Sequence, residues 1–231
     1  MRRICSGCSL RELCLPAGLD YEAISALDEF VEKKQDVHPQ QLAYRAGDPA
    51  SNIYAVRLGS FKSYRLRESG EVQIVGIHLP GELFGLDALA SDRRQIYTEA
   101  LEKSNVCALP VTDLERLSRE IPAIGRQIMR LMAKELNSSY AEHELLANDG
   151  ALTRVAKFIW RYVQRRQQVG LQTRQFDIAI SRQDLANYLG LQVETVSRAF
   201  RELRDGKIIT ASRSKIEILD LAGLQKLICK E

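Results

Sequence analysis

The chain has 231 residues, 45% hydrophobic and 27% charged, with 33 Lys plus Arg against 30 Asp plus Glu. That balance is that of an ordinary folded soluble protein and excludes a disordered chain or a collagen-like repeat, while five cysteines are too few for a disulfide scaffold. No stretch approaches the ~20 uninterrupted apolar residues of a bilayer span, and the basic start, Met1-Arg2-Arg3-Ile4-Cys5-Ser6, lacks the apolar run of a signal peptide. The expected address is the cytoplasm, with no membrane partner.

The net charge of +3 is unevenly placed. Residues 1–147 hold 18 basic and 21 acidic side chains, whereas residues 148–231 hold 15 and 9. A basic C-terminal part joined to a slightly acidic one suggests a polyanion-binding module attached to something else.

Three cysteines precede Pro16-Ala17-Gly18, a breaker that makes the first twenty residues an irregular arm. Asp20 is an N-cap candidate for a short helix running to about Lys33. From Leu42 to Leu109 short β-rich runs alternate with glycines, and Asn52–Leu58, Phe61–Leu66, Val72–His78 and Ile96–Leu101 read as strands. Several such strands imply a compact antiparallel barrel or roll. Thr112 can cap a following helix, and Pro122 starts another. Along it, Gly125, Met129, Met132, Leu136, Ser139, His143 and Leu146 recur at alternating steps of four and three, a heptad seam about three heptads long. That stripe suits either pairing with a second copy or packing on the chain's own β-roll. Asn148-Asp149-Gly150 marks a domain boundary, a helix covers about Leu152–Gln167, and Phe176–Ile180 reads as a short strand.

Residues 181–203, SRQDLANYLGLQVETVSRAFREL, carry the most specific pattern. Ser181 caps a helix ending at Leu189, Ala186 is small where a second helix must cross, and Gly190 can take the left-handed turn. A second helix over about Val193–Arg204 completes a helix-turn-helix, with a β-wing expected at Lys207–Ile209 and Lys215–Leu219. Glu194, Ser197, Arg198 and Arg201 share one face opposite Val196 and Phe200. Arg198 can donate a bidentate pair to guanine, Glu194 can accept from cytosine N4, and Ser197 can serve either role. Arg182, Arg201, Arg213 and Lys215 are assigned to the phosphate backbone of double-stranded DNA.

Cys5-x2-Cys8-x5-Cys14 sets three thiols on one irregular segment that can wrap a metal or cluster, and Cys107 could supply a fourth ligand. Four thiolates suit zinc or an iron-sulfur cluster alike. Taken blind, Cys107 in an apolar run, Val106-Cys107-Ala108-Leu109, reads as a buried core thiol ahead of a ligand. Cys229 stands apart.

With these features in place, nearly the whole chain resembles the oxygen-responsive FNR (fumarate and nitrate reduction) regulators of the cAMP receptor protein superfamily. The likeness rests on the three N-terminal cysteines and on IYAVRLGSFKSY (53–64), IVGIHLPGELFGLDAL (74–89), NVCALP (105–110), IMRLMAKEL (128–136) and NYLGLQVETVSR (187–198). It implies an α+β chain divided into a cysteine-rich arm (1–20), a β-roll sensor domain of the cyclic-nucleotide-binding jelly-roll type (21–110), a long dimerisation helix (111–147) and a winged helix-turn-helix domain (148–231). It further implies that Cys5, Cys8, Cys14 and Cys107 bind a [4Fe-4S] cluster that favours the DNA-binding homodimer. In the family this resemblance points to, oxygen converts the cluster to a [2Fe-2S] form with loss of dimerisation, and the same is expected here. Glu194, Ser197 and Arg198 would read inverted TTGAT-type half-sites, Met129, Met132, Leu136, Ser139 and His143 would line the dimer seam, and the loop around Leu66–Gln73 resembles a surface that contacts RNA polymerase.

Two departures stand out. Superfamily members that bind cyclic AMP carry a Gly-Glu pair after the PGE motif and an Arg-Ser/Thr pair before the last strands. Here Gly85 is followed by Leu86-Asp87, and Arg93-Arg94-Gln95 has no such hydroxyl, so no cyclic nucleotide is expected. The FNR pattern also has an aspartate where this chain has Ser139. The competing readings are a zinc-stabilised, nitric-oxide-responsive or haem-responsive relative, and a thiol redox protein using Cys5 and Cys8. His38, His78 and His143 lie in no haem motif, and no catalytic constellation is recognisable, so an enzyme is not expected.

Overall fold

The computed structural model describes residues 4–33, 36–146, 149–212 and 214–229, with the backbone alone for residue 33 and for 141–146. The chain divides into two compact units, residues 1–71 with 75–137, and residues 138–231 with 72–74.

In the first unit the cysteine arm is a succession of tight turns. The N–H of Cys8 donates to the Cys5 carbonyl (3.1 Å), that of Arg11 to Cys8 (3.2 Å) and that of Ala17 to Cys14 (3.0 Å). Helix α1 (Tyr21–Phe30) is capped by Asp20, whose carboxylate accepts from Ala23 N at 2.9 Å. It stops short of the expected Lys33. Val31 turns extended, and β1 (Glu32–Lys33) instead pairs with Ala108 and Cys107. A partner strand distant in sequence thus ends the helix, since backbone groups of Glu32 and Lys33 find their bonds in a sheet.

The roll continues through β2 (Leu42–Tyr44), β3 (Asn52–Leu58), β4 (Phe61–Leu66), β5 (Val72–His78), β6 (Leu83–Phe84), a 3-10 turn (Leu86–Leu89), β7 (Tyr97–Ala100) and β8 (Asn105–Pro110). Two four-stranded sheets result, in the orders β1-β8-β3-β6 and β2-β7-β4-β5. Antiparallel β3 and β8 set Ala55 opposite Cys107 and Tyr54 opposite Ala108. Inside lie Tyr44, Tyr54, Phe61 and Phe84, with ring centroids 5.0–6.1 Å apart.

Helix α2 (Val111–Glu120) begins one residue before Thr112, after Pro110 and without a side-chain cap; Val111 N donates to Ser51 O (2.9 Å) instead. Pro122 opens the 25-residue helix α3 (Pro122–Leu146). This helix uses two faces. Ile124, Ile128 and Leu131 pack into the core formed with Leu27, Leu114 and Leu117. Met129, Met132, Leu136 and Tyr140 are exposed, from 42% at Met132 to 62% at Met129. Ser139 is half-buried, and the side chain of His143 lies outside the described residues.

The second unit holds α4 (Ala151–Gln168), β9 (Gln175–Asp177), α5 (Arg182–Leu189), α6 (Val193–Asp205), β10 (Ile209–Ser212), β11 (Lys215–Ile218) and α7 (Leu221–Ile228). Its sheet runs β10-β11-β9. The strand expected at Phe176–Ile180 is shorter and earlier. Ile178 N donates to Ser214 O, while Ile178 and Ile180 are buried as a connector into α5. The wing's first strand starts at Ile209 because Lys207 takes a left-handed turn, φ 53°.

Candidate nucleic-acid interface and thiol cavity

The helix-turn-helix is built from local chemistry. Ser181 Oγ accepts from Asp184 N at 2.9 Å and caps α5. Gly190 ends that helix at φ 62°, ψ 38°, and Leu191 N closes the turn on Ala186 O (2.9 Å). A residue with a Cβ would be strained in this conformation. Leu185, Ala186, Leu189, Val196, Ala199, Phe200 and Leu203 are buried between the helices.

Glu194, Ser197, Arg198 and Arg201 are all exposed on α6, away from that core, and Lys215 is exposed at the start of β11. Arg213 lies outside the described residues. Arg182 is different. It is half-buried, and its guanidinium carbon sits 3.5 Å from the centroid of the Phe200 ring. Burial, and after it the nearby Arg204 guanidinium, holds Arg182 below the ordinary arginine value.

Two arginines that the sequence does not single out support this unit. Arg154 donates from Nε to Asp149 O (2.9 Å) and from Nη1 to Leu189 O (3.1 Å), the latter a carbonyl left open at the end of α5. Arg161 Nη2 donates to Ser138 O (3.2 Å), tying α4 to α3. Helix periodicity places such residues on a face but not which carbonyl they reach.

In the first unit one cavity is lined by Cys5, Cys8, Cys14 and Cys107, with Ile4, Leu10, Leu15, Val31, Ala55, Val56 and Leu109 supplying apolar wall. Its empty space is about 420 Å³, counting the part open to solvent. The arm brings three thiols and β8 the fourth. No disulfide joins them. Burial, followed by the charges of Cys14, Asp28, Cys107 and Cys8, pushes the Cys5 thiol far up; burial pushes Cys14 up to about 12 against a weaker downward pull from the backbone hydrogen bond at Leu15. Unliganded, Cys5 and Cys14 are therefore protonated thiols at neutral pH. Among the described residues no three His, Cys, Asp or Glu close round a point as ligands of one ion. The four thiols line one cavity, and a donor set of four thiolates fits an iron-sulfur cluster as well as a tetrahedral zinc.

Asp28 was not foreseen. Its buried carboxylate accepts the N–H of Cys5 (2.5 Å) and of Ser6 (3.3 Å), pinning the start of the arm to α1.

Inside the roll, a buried ion pair ties the Gly85 turn to the start of β3. Arg94, 3% exposed, donates from Nη1 to Gly85 O and Asp87 Oδ1, each at 2.9 Å, and from Nη2 to Asn52 O. Its guanidinium lies 4.1 Å from the Tyr44 ring centroid. Asp87 Oδ2 also accepts Gln95 N (2.8 Å). A Cβ at Gly85, φ 77°, would stand 2.8 Å from Arg94 Nη1.

A two-sheet roll, a long helix and a winged helix-turn-helix whose second helix exposes Glu194, Ser197, Arg198 and Arg201 define a DNA-binding transcription regulator rather than an enzyme. Family comparison agrees: a Crp-like helix-turn-helix domain matches residues 153–227 and a cyclic nucleotide-binding domain matches residues 34–120. The transcriptional activator protein Anr of Pseudomonas aeruginosa is 38% identical over 94% of this chain and 88% of its own length. The fumarate and nitrate reduction regulatory protein of Vibrio cholerae is 37% identical over 96% and 89%. The solved structure of FixK2 from Bradyrhizobium japonicum superposes with a TM-score of 0.78 at 27% identity, covering 87% of this chain and 98% of that one. The chain belongs to the cAMP receptor protein/FNR superfamily of transcription regulators. Among the described residues no helix is long and apolar enough to cross a membrane.

Proposed function

We propose that the chain is an oxygen-sensing regulator of the anaerobic response, active on DNA as a homodimer when a [4Fe-4S] cluster is held by Cys5, Cys8, Cys14 and Cys107. The observation that carries the reading is the convergence of these four thiols, three from the arm and one from β8, on one largely apolar cavity. Relatives named as anaerobic or fumarate and nitrate reduction regulators support it.

Bound there, a [4Fe-4S] cluster would supply an oxygen-labile cross-link among four thiolates. The chain's own residues do the rest. Cys107 lies on β8, three residues before the end of the strand that leads directly into α2 and then α3. Tension between arm and β8 therefore reaches the helix whose Met129, Met132, Leu136 and Tyr140 stand exposed. Those side chains form the apolar seam for a second copy, with Ser139 and His143 continuing it. Pairing sets two recognition helices on a twofold axis, where Glu194, Ser197 and Arg198 read inverted TTGAT-type half-sites about one helical turn apart. Arg201, Arg213 and Lys215 hold phosphates, and Arg182 adds its charge beside them. The Leu66–Gln73 hairpin tip, with Gly70 at φ 80°, faces RNA polymerase. Asp87 answers Arg94 from inside the roll, so no cyclic nucleotide is needed.

The test is anaerobic purification with iron and sulfide quantitation, then air exposure while binding to an inverted TTGAT repeat is followed. About four irons and four sulfides per chain, with DNA affinity lost in air and iron lost in each Cys→Ser variant at 5, 8, 14 and 107, is the expected result. Zinc in place of iron, or binding indifferent to air, would overturn the sensor reading and leave the DNA-binding assignment standing.

A further inference from the structure

We infer that Arg182 and Phe200 form a strut that converts contact with the DNA backbone into the angular setting of the base-reading helix. This inference rests on the DNA-binding reading of α6 and not on the cluster.

Arg182 is the first residue of α5, and Phe200 belongs to the buried face of α6, with its ring 4% exposed. The guanidinium covers that ring at 3.5 Å, so one flat face of the cation is spent on α6. Among the described residues no acceptor takes its N–H groups. Its edge remains available to an anionic oxygen. A planar guanidinium can stack by its face and donate by its edge at once, and a lysine ammonium cannot. A second cation, Arg204, stands one helical turn beyond Phe200 and adds to the positive field around Arg182.

The consequence follows from helix geometry. Phe200 lies two, three and six residues after Arg198, Ser197 and Glu194 on the same rigid helix. A phosphate that fixes Arg182 therefore fixes the roll of α6 about its axis, and with it the direction of all three base-reading side chains. In this arrangement a contact that carries no sequence information by itself still sharpens readout. Simple neutralisation of a phosphate would add affinity equally on every sequence.

The experiment measures anaerobic, full-length protein on a duplex with an inverted TTGAT repeat and on a scrambled duplex of equal length at fixed salt. Arg182→Lys keeps the charge and removes the stack; Phe200→Leu keeps an apolar core residue and removes the ring. Each is expected to lower the ratio of specific to scrambled affinity by about tenfold while scrambled binding changes by less than about threefold. The double variant should lose no more than either single one, and Phe200→Tyr should retain the ratio. Should Phe200→Leu fail to fold, Arg182→Lys and Phe200→Tyr decide between them. Equal losses on both duplexes, an unchanged ratio in Arg182→Lys, or losses that multiply in the double variant overturn the inference. If the wild type shows no preference for the TTGAT duplex, it is the half-site reading that fails, and the ratio is then measured on the wild type's preferred sequence.

Discussion

Asp87→Ala is the most direct probe of the ion pair buried inside the roll. In the wild type the Arg94 side chain is 1% exposed and that of Asp87 15%, with 2.9 Å between Nη1 and Oδ1. Removing the carboxylate strands a buried guanidinium, a change that costs about 3–5 kcal/mol. The Gly85 and Asn52 carbonyls and the Tyr44 face still answer part of that charge and pull the loss toward the lower limit. Loss of the hydrogen bond from Gln95 N adds about 1 kcal/mol. The expected cost is therefore about 3–4 kcal/mol in the first unit, roughly 10 °C in its melting temperature. Calorimetry is the suitable assay, because the single tryptophan, Trp160, lies on α4 and reports the other unit. The double variant Arg94→Met/Asp87→Leu, which removes both charges together, should recover most of the loss. A fall of less than about 1 kcal/mol in Asp87→Ala would refute the view that Asp87 neutralises the buried Arg94.

Three further outcomes are expected. Ser139→Asp sets two carboxylates along the paired seam and should weaken self-association of the metal-free chain by about 1 kcal/mol, roughly fivefold, an effect that sedimentation would detect. Cys14 has a folded value of about 12 against 9.0, so metal-free stability is full below pH 9 and is lost as pH rises toward 12, by at most about 1.4 kcal/mol per pH unit for this thiol. Urea titrations under reductant should show that slope, and Cys14→Ser should reduce it. Lys207→Gly relieves a left-handed residue at the turn into β10 and should stabilise the second unit by about 1 kcal/mol; an unchanged or lower melting temperature contradicts this.

Much of this protein is legible in its sequence because the responsible forces are local. Strands 52–58, 61–66 and 72–78 follow β-rich runs between glycines, and the helix-turn-helix follows from Ser181, Ala186, Gly190 and Val196 at fixed spacing. The exposure of Glu194, Ser197, Arg198 and Arg201 on one face is a consequence of the helical repeat alone. The apolar stripe on α3 was equally visible, but its use was not. Periodicity marks an apolar face without naming its partner, and the packed Ile124, Ile128 and Leu131 had to be seen before Met129, Met132 and Leu136 could be recognised as the outward face.

What only the tertiary structure decided are contacts between segments far apart in the chain. The end of α1 at Phe30 depends on β8, more than seventy residues later. Asp28 meets the arm, Arg94 meets Asp87 and Asn52, Arg154 meets the end of α5, and Arg182 meets Phe200. In each case a buried or half-buried side chain takes a partner that the fold brings within reach, whether carboxylate, carbonyl or ring face, because burying a polar or charged group with no partner is costly. Such a partner is selected by distance in space, which residue spacing along the sequence does not encode.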